Sequence, residues 1–160
     1  MTGTDIWPFL VPAAGLLMFF GGWWLFRLGR EVQTERARES FRLQKERLEG
    51  VVLKAAAATG KPRGLHWASC RFTDDFMLIR DKATRRLAAL IPVTVLFEPV
   101  AGGDMENVEA ATQPRHATAL LHFRKGEWLS DGKILFNMSP ADALRLHARE
   151  FDSVGTKDQH

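Results

Sequence analysis

Near its amino terminus the chain has 21 consecutive residues, Ile6 to Phe26, without a charged or strongly polar side chain. At about 1.5 Å per residue, a helix of that length spans roughly 31 Å, close to the hydrocarbon thickness of a bilayer. A helix in a soluble protein is seldom apolar on every face for so long. The run therefore predicts a transmembrane anchor over residues 1–27, followed by the rest of the 160-residue chain.

The two ends of this run carry the residues expected at membrane surfaces. Trp7 lies at one end and Trp23 and Trp24 at the other, where indole rings can sit at the headgroup level. Arg27 and Arg30 follow directly. A cleaved signal peptide would need a basic segment before the run and a small-residue cleavage site after it, and neither is present. We therefore expect an anchor that is retained.

Charge around the anchor predicts its orientation. Asp5 is the only charged residue before the run, whereas four arginines follow it within twelve residues, Arg27, Arg30, Arg36 and Arg38. Positive residues beside a membrane segment tend to remain in the cytoplasm. We expect a single-pass protein of the inner (plasma) membrane, with the amino terminus outside and the carboxyl-terminal domain in the cytoplasm.

The excess positive charge belongs to the segment beside the membrane. Residues 27–58 contain 8 basic and 5 acidic residues, whereas residues 60–160 contain 14 and 13. Because a nucleic-acid footprint should lie on the folded domain, no nucleic-acid partner is expected, and the arginines suit anionic lipid. The single cysteine excludes an intramolecular disulfide and any multi-cysteine metal site within one chain.

We predict a helical stalk over residues 28–60, because the segment is rich in Glu, Arg, Leu, Ala and Gln. Gly60 and the following Pro62 are signals that end a helix. A heptad frame can be drawn through Ala37, Phe41, Gln44, Leu48, Val51, Ala55 and Ala58. Two interpretations remain open. The stalk forms a coiled coil that makes the protein a homo-oligomer, or it lays this stripe on the sheet of its own domain.

Residues 61–151 predict a small α+β domain of two layers. Period-two patterns indicate five strands in an antiparallel meander, at residues 65–72, 76–80, 87–98, 116–124 and 128–138. Pro92 places the third strand at a sheet edge or at a bulge, because proline cannot donate to a ladder. Ser139 and Pro140 predict the start of a carboxyl-terminal helix with the apolar stripe Leu144, Ala148 and Phe151. Residues 152–160 are predicted to be a polar tail.

The connection from Pro99 to Arg115 is long for a compact domain, and it carries the acidic residues Asp104, Glu106 and Glu109. Such loops tend to be functional or disordered, and the sequence leaves open which applies here. The acidic residues would contact a basic surface of a partner or remain solvated.

Several segments of the domain carry a resemblance: Leu65-His66-Trp67-Ala68-Ser69-Cys70, Ile91-Pro92-Val93-Thr94-Val95, Gly103-Asp104-Met105-Glu106, and the ending with Trp128, Asp131-Gly132 and Phe136-Asn137. They resemble small uncharacterised membrane-anchored bacterial proteins, which implies no particular activity. A helix followed by an antiparallel meander is also similar, at fold level, to cystatin-like and nuclear-transport-factor-2-like domains. Fold similarity alone transfers no site.

Candidate chemistry centres on one cysteine and three histidines. His66 lies four residues before Cys70 on the same face of the first strand, but their separation of roughly 13 Å is too large for a hydrogen bond. A partner for Cys70 would have to come from His116 or His122 on another strand. The two histidines share strand parity and could join acidic residues around a metal, but their spacing matches no compact ligand motif. The competing interpretation, which is favoured over catalysis or metal binding, is that the cysteine is buried and inert and the histidines lie at the surface.

Trp67 and Trp128 fall at strand positions and suit the core or the wall of an apolar pocket with Phe72, Phe97 and Phe123. No catalytic motif, cofactor fingerprint or metal-ligand motif accompanies them. We therefore predict no catalytic residues, no cofactor and no metal. The leading hypothesis is a membrane-anchored, non-catalytic binding or assembly module with an unknown protein partner. The alternative is a small-ligand or enzymatic pocket that uses Cys70, His66, His116 and His122.

Overall fold

The computed structural model describes residues 7–60 and 64–154, and it describes no side chains for residues 7–17 and 25–27. Ile6, Pro62 and residues 155–160 of the predicted tail therefore lie outside the described residues, as do the side chains of Trp7 and Arg27. The chain divides into two compact units, Met1–Arg38 and Glu39–His160. Among the described residues, no helix combines the length and apolar character needed to cross a membrane.

The fold is α+β, with a long amino-terminal helix followed by an antiparallel sheet and a short helix. The helix α1 covers Trp7–Thr59. The strands are β1 (Leu65–Phe72), β2 (Met77–Asp81), β3 (Leu87–Pro99), β4 (Arg115–Arg124), β5 (Glu127–Phe136) and β6 (Phe151–Ser153). The short helix α2 (Pro140–Leu146) lies between β5 and β6, and a 3-10 turn covers Glu109–Ala111. The predicted positions of the first five strands are confirmed to within a few residues.

The sheet differs from a simple meander at both ends. Its order is β5-β4-β3-β2-β6, and β1 pairs with β3 rather than with β2. β1 lies along residues 93–99 of β3 and β2 along residues 87–90, so two strands share one side of β3. The described sheet has six strands because β6 pairs with β2. The sequence places Phe151 on the second helix and residues 152–153 in the tail, but α2 ends at Leu146 and β6 covers Phe151–Ser153.

Pro92 lies in a central strand and its pairing with β4 has no bulge, whereas the sequence predicted a sheet edge or a bulge. Thr73 N–H donates to the Pro92 carbonyl at 3.0 Å, on the side of β3 that faces β1 and β2. The N and C=O of one strand residue point to the same neighbouring strand. The register of β1 ends opposite Val93 and that of β2 begins opposite Leu90. The missing Pro92 N–H thus faces the break between β1 and β2, where no ladder needs it.

The part of α1 that belongs to the domain packs on one face of the sheet. Phe41, Leu48, Val52 and Ala56 are buried there, and the Phe41 ring centroid lies 4.4 Å from that of Phe76 and 5.8 Å from that of Phe72. After Leu48 the buried positions fall one residue beyond the heptad frame. A straight helix drifts in this way because it has 3.6 residues per turn rather than 3.5. This stripe of α1 covers the sheet of its own chain.

The other face of the sheet is covered by α2 over part of its area. The buried residues of this second cluster are Ile79, Ala88, Leu90, Leu120, Ala143 and Phe151. Ser139 caps α2 by accepting a hydrogen bond from Asp142 N–H, and Pro140 opens the helix, as the sequence predicts. The domain therefore has three layers, the helix α1, the sheet and α2, where two were expected.

Candidate functional site

The register assigns each candidate residue to a face of the sheet. On β3, Val93, Val95 and Phe97 are buried on the face toward α1, which we call the α1 face. Ala88 and Leu90 point to the opposite side, which we call the α2 face. Residues that pair directly across strands share a face. The pairing of the strands therefore determines which candidates can meet.

Cys70 lies on the α1 face, opposite Val95, whereas His66 lies opposite Glu98 on the α2 face. The sequence predicted one face for both, but a bulge between Trp67 and Ser69 adds a residue and reverses the alternation. Cys70 is 4% exposed. Burial, with the nearby charge of Glu49 as a second cause, raises the pKa of its thiol to about 12. A neutral, buried thiol is a poor nucleophile.

The three histidines share the α2 face but do not meet. His116 pairs with Thr94 and His122 with Ala88, six residues along β3, which corresponds to roughly 20 Å. His66, opposite Glu98, lies about 13 Å beyond the position of His116. His122 Nε2 lies 3.5 Å from the carboxylate of Asp131. In the described part of the chain no three His, Cys, Asp or Glu residues could hold a metal ion.

Trp67 and Trp128 both lie on the α1 face, together with the three phenylalanines of the predicted pocket wall. Trp128 is buried, and Phe41 of α1 packs against it with the two ring centroids 6.0 Å apart. The Trp67 ring is tilted against that of Phe97, with the centroids 4.8 Å apart, and its indole N–H donates to the Gly60 carbonyl at 2.7 Å. The structure therefore separates the six pocket candidates into two tryptophans and a cysteine on one face and three histidines on the other.

An open cleft of about 320 Å³ lies on the α2 face, at the break between β1 and β2. Its lining is mostly apolar: Phe76, Met77, Pro92, Pro140 and Ala141, with Asp75 and Ser139 as the polar members. None of these residues was singled out as a site from the sequence. Pro92 was the available signal, because a proline in a buried strand marks the break at which the cleft forms.

The acidic residues around the cleft differ in their partners. Asp74 is bonded to Lys45 Nζ at 2.6 Å, and this hydrogen bond lowers the pKa of its carboxyl group. The Asp142 carboxylate accepts a hydrogen bond from the Ser139 hydroxyl at 2.6 Å and lies 3.6 Å from the Arg145 guanidinium. Asp75 is exposed and forms no ion pair with a described residue. It is the lining residue whose charge is left to solvent or to a ligand.

The long connection between β3 and β4 is built from consecutive turns. Gly102 N–H donates to the Glu106 carboxylate at 2.8 Å, and Val100 N–H donates to the Gly64 carbonyl at 2.9 Å. Ala111 of the 3-10 turn is fully buried, so the turn packs against the domain. Asp104 and Glu109 are exposed. The acidic side chains of this loop other than Glu106 thus remain directed to solvent.

Comparison with models of protein families, with curated proteins and with solved structures finds no significant match for this chain.

Proposed function

We propose that this chain is a single-pass membrane protein whose α+β domain is a non-catalytic binding or assembly module at the cytoplasmic face. The observation that carries the proposal is the exposure of large apolar side chains on the first unit of α1. Met18, Phe19, Phe20, Trp23 and Trp24 are between 56% and 81% exposed. At about 100° per residue they are spread over more than half of the helix circumference. Large exposed apolar surfaces of this kind mark contacts with a membrane or a partner.

A lipid environment accounts for this spread better than a protein groove does. A groove covers one stripe of a helix, whereas lipid covers all sides. The sequence adds an uncharged run that starts at Ile6, and arginines that begin at Arg27. Arg30 and Arg36 continue the basic segment, which suits anionic headgroups on the cytoplasmic side. The amino terminus is therefore proposed to be outside, and the domain inside.

The binding or assembly role rests on the arrangement of the candidate side chains. Cys70 is on the opposite face of the sheet from His66, His116 and His122, and the histidines are far apart along the strands. The rival function, a small-ligand or enzymatic pocket that uses these four residues, has correspondingly less support. Self-association through the outer face of α1, where Leu43 is 79% exposed, is part of the assembly proposal.

The anchor and its orientation can be tested by extraction and by cysteine labelling. Membranes from expressing cells are washed with alkaline carbonate, and the protein is expected to remain in the pellet. Gly3→Cys and Lys133→Cys are then prepared separately and treated in spheroplasts with a membrane-impermeant maleimide. Cys70 supplies little background, because it is buried and the pKa of its thiol is raised to about 12.

We expect Gly3→Cys to react in intact spheroplasts and Lys133→Cys to react only after lysis. The reverse pattern would show that the proposed orientation is wrong, and release of the protein by carbonate would reject the anchor. Crosslinking of the detergent-extracted protein, read by mass spectrometry, then tests assembly. Crosslinks to a second copy or to a partner should persist when Cys70, His66, His116 and His122 are replaced together by Ser or Ala. Their loss in a folded variant would favour the pocket.

A further inference from the structure

We propose that the cleft at the break between β1 and β2 receives an apolar side chain flanked by Lys or Arg from a protein partner. The inference rests on the proposed role of the domain as a binding module and specifies its binding site. The cleft is open to the surface, and Phe76, Met77 and Pro92 form its sheet side, with Pro140 and Ala141 on the helix side.

The lining argues for an apolar anchor group. Of its two polar side chains, the Ser139 hydroxyl is already used, because it donates to the Asp142 carboxylate and accepts from Asp142 N–H. Sites for small molecules usually enclose the ligand and direct several polar groups at it. Asp75 is the one polar side chain of the lining without an ion-pair partner in the part of the chain that the structure describes. An apolar side chain that protrudes from a partner is the group such a pocket accommodates.

Charge determines what should flank that anchor. Asp74, next to Asp75, is already neutralised by Lys45, whereas Asp75 has no such partner among the described residues. None of the described residues that line the cleft has a basic side chain. A partner segment that covers the cleft brings its own charges next to Asp75. A Lys or Arg beside the anchor would pair with this carboxylate, whereas an acidic flank would be repelled.

The test uses the full chain in nanodiscs of zwitterionic lipid, with empty nanodiscs as the background. The probe is a fluorescein-labelled peptide, Ser-Lys-Phe-Leu-Lys-Ser-amide, followed by fluorescence anisotropy. One matched peptide carries Glu in place of both Lys residues, and another carries Ser in place of Phe and Leu. Phenethylamine, as a competitor, represents a small cationic ligand with the same chemistry.

Two variants test the cleft itself. Ala141→Trp fills it and is expected to weaken binding of the Lys peptide by at least tenfold, whereas Ala83→Trp, at an exposed turn, should not. Asp75→Asn is expected to weaken binding about two- to fivefold, the range that an exposed ion pair contributes. Asp131→Asn removes an exposed acid elsewhere and should leave binding unchanged. Near-ultraviolet circular dichroism confirms that each variant is folded.

Several results of these experiments would contradict the proposal. Equal binding of the Lys and Glu peptides, unchanged binding by Ala141→Trp, or no binding up to millimolar peptide would overturn it. Displacement by phenethylamine at concentrations similar to those of the unlabelled peptide would identify a small-cation site instead of a protein interface. If the cleft fails but crosslinks to a partner arise from other surfaces, the binding module itself stands. The two failures can therefore be told apart.

Discussion

Two stretches of α1 contrast in how they use large apolar side chains. Between Met18 and Trp24 every large apolar side chain is exposed, and these side chains point in several directions. Between Phe41 and Ala56 the buried residues follow one stripe with spacings of seven and four, and the outward-facing side carries charged residues and Leu43. Both stretches belong to one continuous helix. Helix propensity therefore does not distinguish them, and the distribution of apolar residues around the axis does.

The difference teaches which environment each stretch requires. A single apolar stripe is satisfied by one sheet face, which the domain supplies. Apolar residues on several sides need a surrounding medium or several partners. Substitutions in the two stretches should consequently affect different measurements, the stability of the domain in one case and membrane retention in the other.

Phe41→Ala should give the largest loss of domain stability. The ring is 2% exposed and lies within 6.0 Å of the ring centroids of Phe72, Phe76 and Trp128. Removal of a buried phenylalanine costs about 3–5 kcal/mol through lost transfer energy and the cavity left behind. The measurement is denaturant unfolding of the full chain in detergent, followed by tryptophan fluorescence.

Phe20→Ala is the matched control in the exposed stretch. Its side chain is 58% exposed, so the free energy of unfolding of the domain should remain unchanged. Equal destabilisation by the two variants would remove the contrast between the stretches. A Phe41→Ala effect below about 1 kcal/mol would mean that α1 does not pack on the sheet in solution.

Gly132→Ala should be the next most damaging. Gly132 has φ +75°, and a Cβ there would lie 2.6 Å from both the carbonyl carbon and oxygen of Ala55 on α1. Left-handed backbone and a collision with backbone atoms each cost energy, together about 2–3 kcal/mol. Gly102→Ala is a close control, because Gly102 also has φ +75° but has nothing within 4 Å of that position. Equal losses for the two would attribute the effect to backbone strain alone, and not to the helix contact.

Glu49→Ala tests a contact between α1 and β1. The Glu49 carboxylate accepts a hydrogen bond from Phe72 N–H at 2.7 Å. A hydrogen bond to a charged group is worth about 1.5–3 kcal/mol when buried, and this one is partly buried, so we expect a loss of about 1–2 kcal/mol. Glu46→Ala, at an exposed position of the same helix, should be near neutral. No difference between these two variants would mean that water satisfies Phe72 N–H equally well.

The α+β class, the limits of the first five strands and the Ser139 cap follow from the sequence because each rests on local periodicity or capping chemistry. β6 was missed because it is three residues long, and Phe151 continues the apolar spacing of α2. The face of Cys70 was assigned wrongly relative to His66 because a one-residue bulge leaves no mark on the pattern. The cleft depends on how β1, β2 and α2 meet, which is a tertiary property.

The ion pair between Lys45 and Asp74 should have the smallest effect. Both atoms are near solvent, and exposed pairs contribute little, so Asp74→Asn should change stability only slightly at pH 7. The hydrogen bond from Lys45 lowers the pKa of Asp74 in the folded state from 3.8. Its contribution is therefore complete above the unfolded pKa and is lost as the pH falls through the folded one. Unfolding curves of the wild type and Asp74→Asn should thus differ slightly at pH 6 and converge below pH 3.8, whereas a gap that persists in acid would assign the effect to packing.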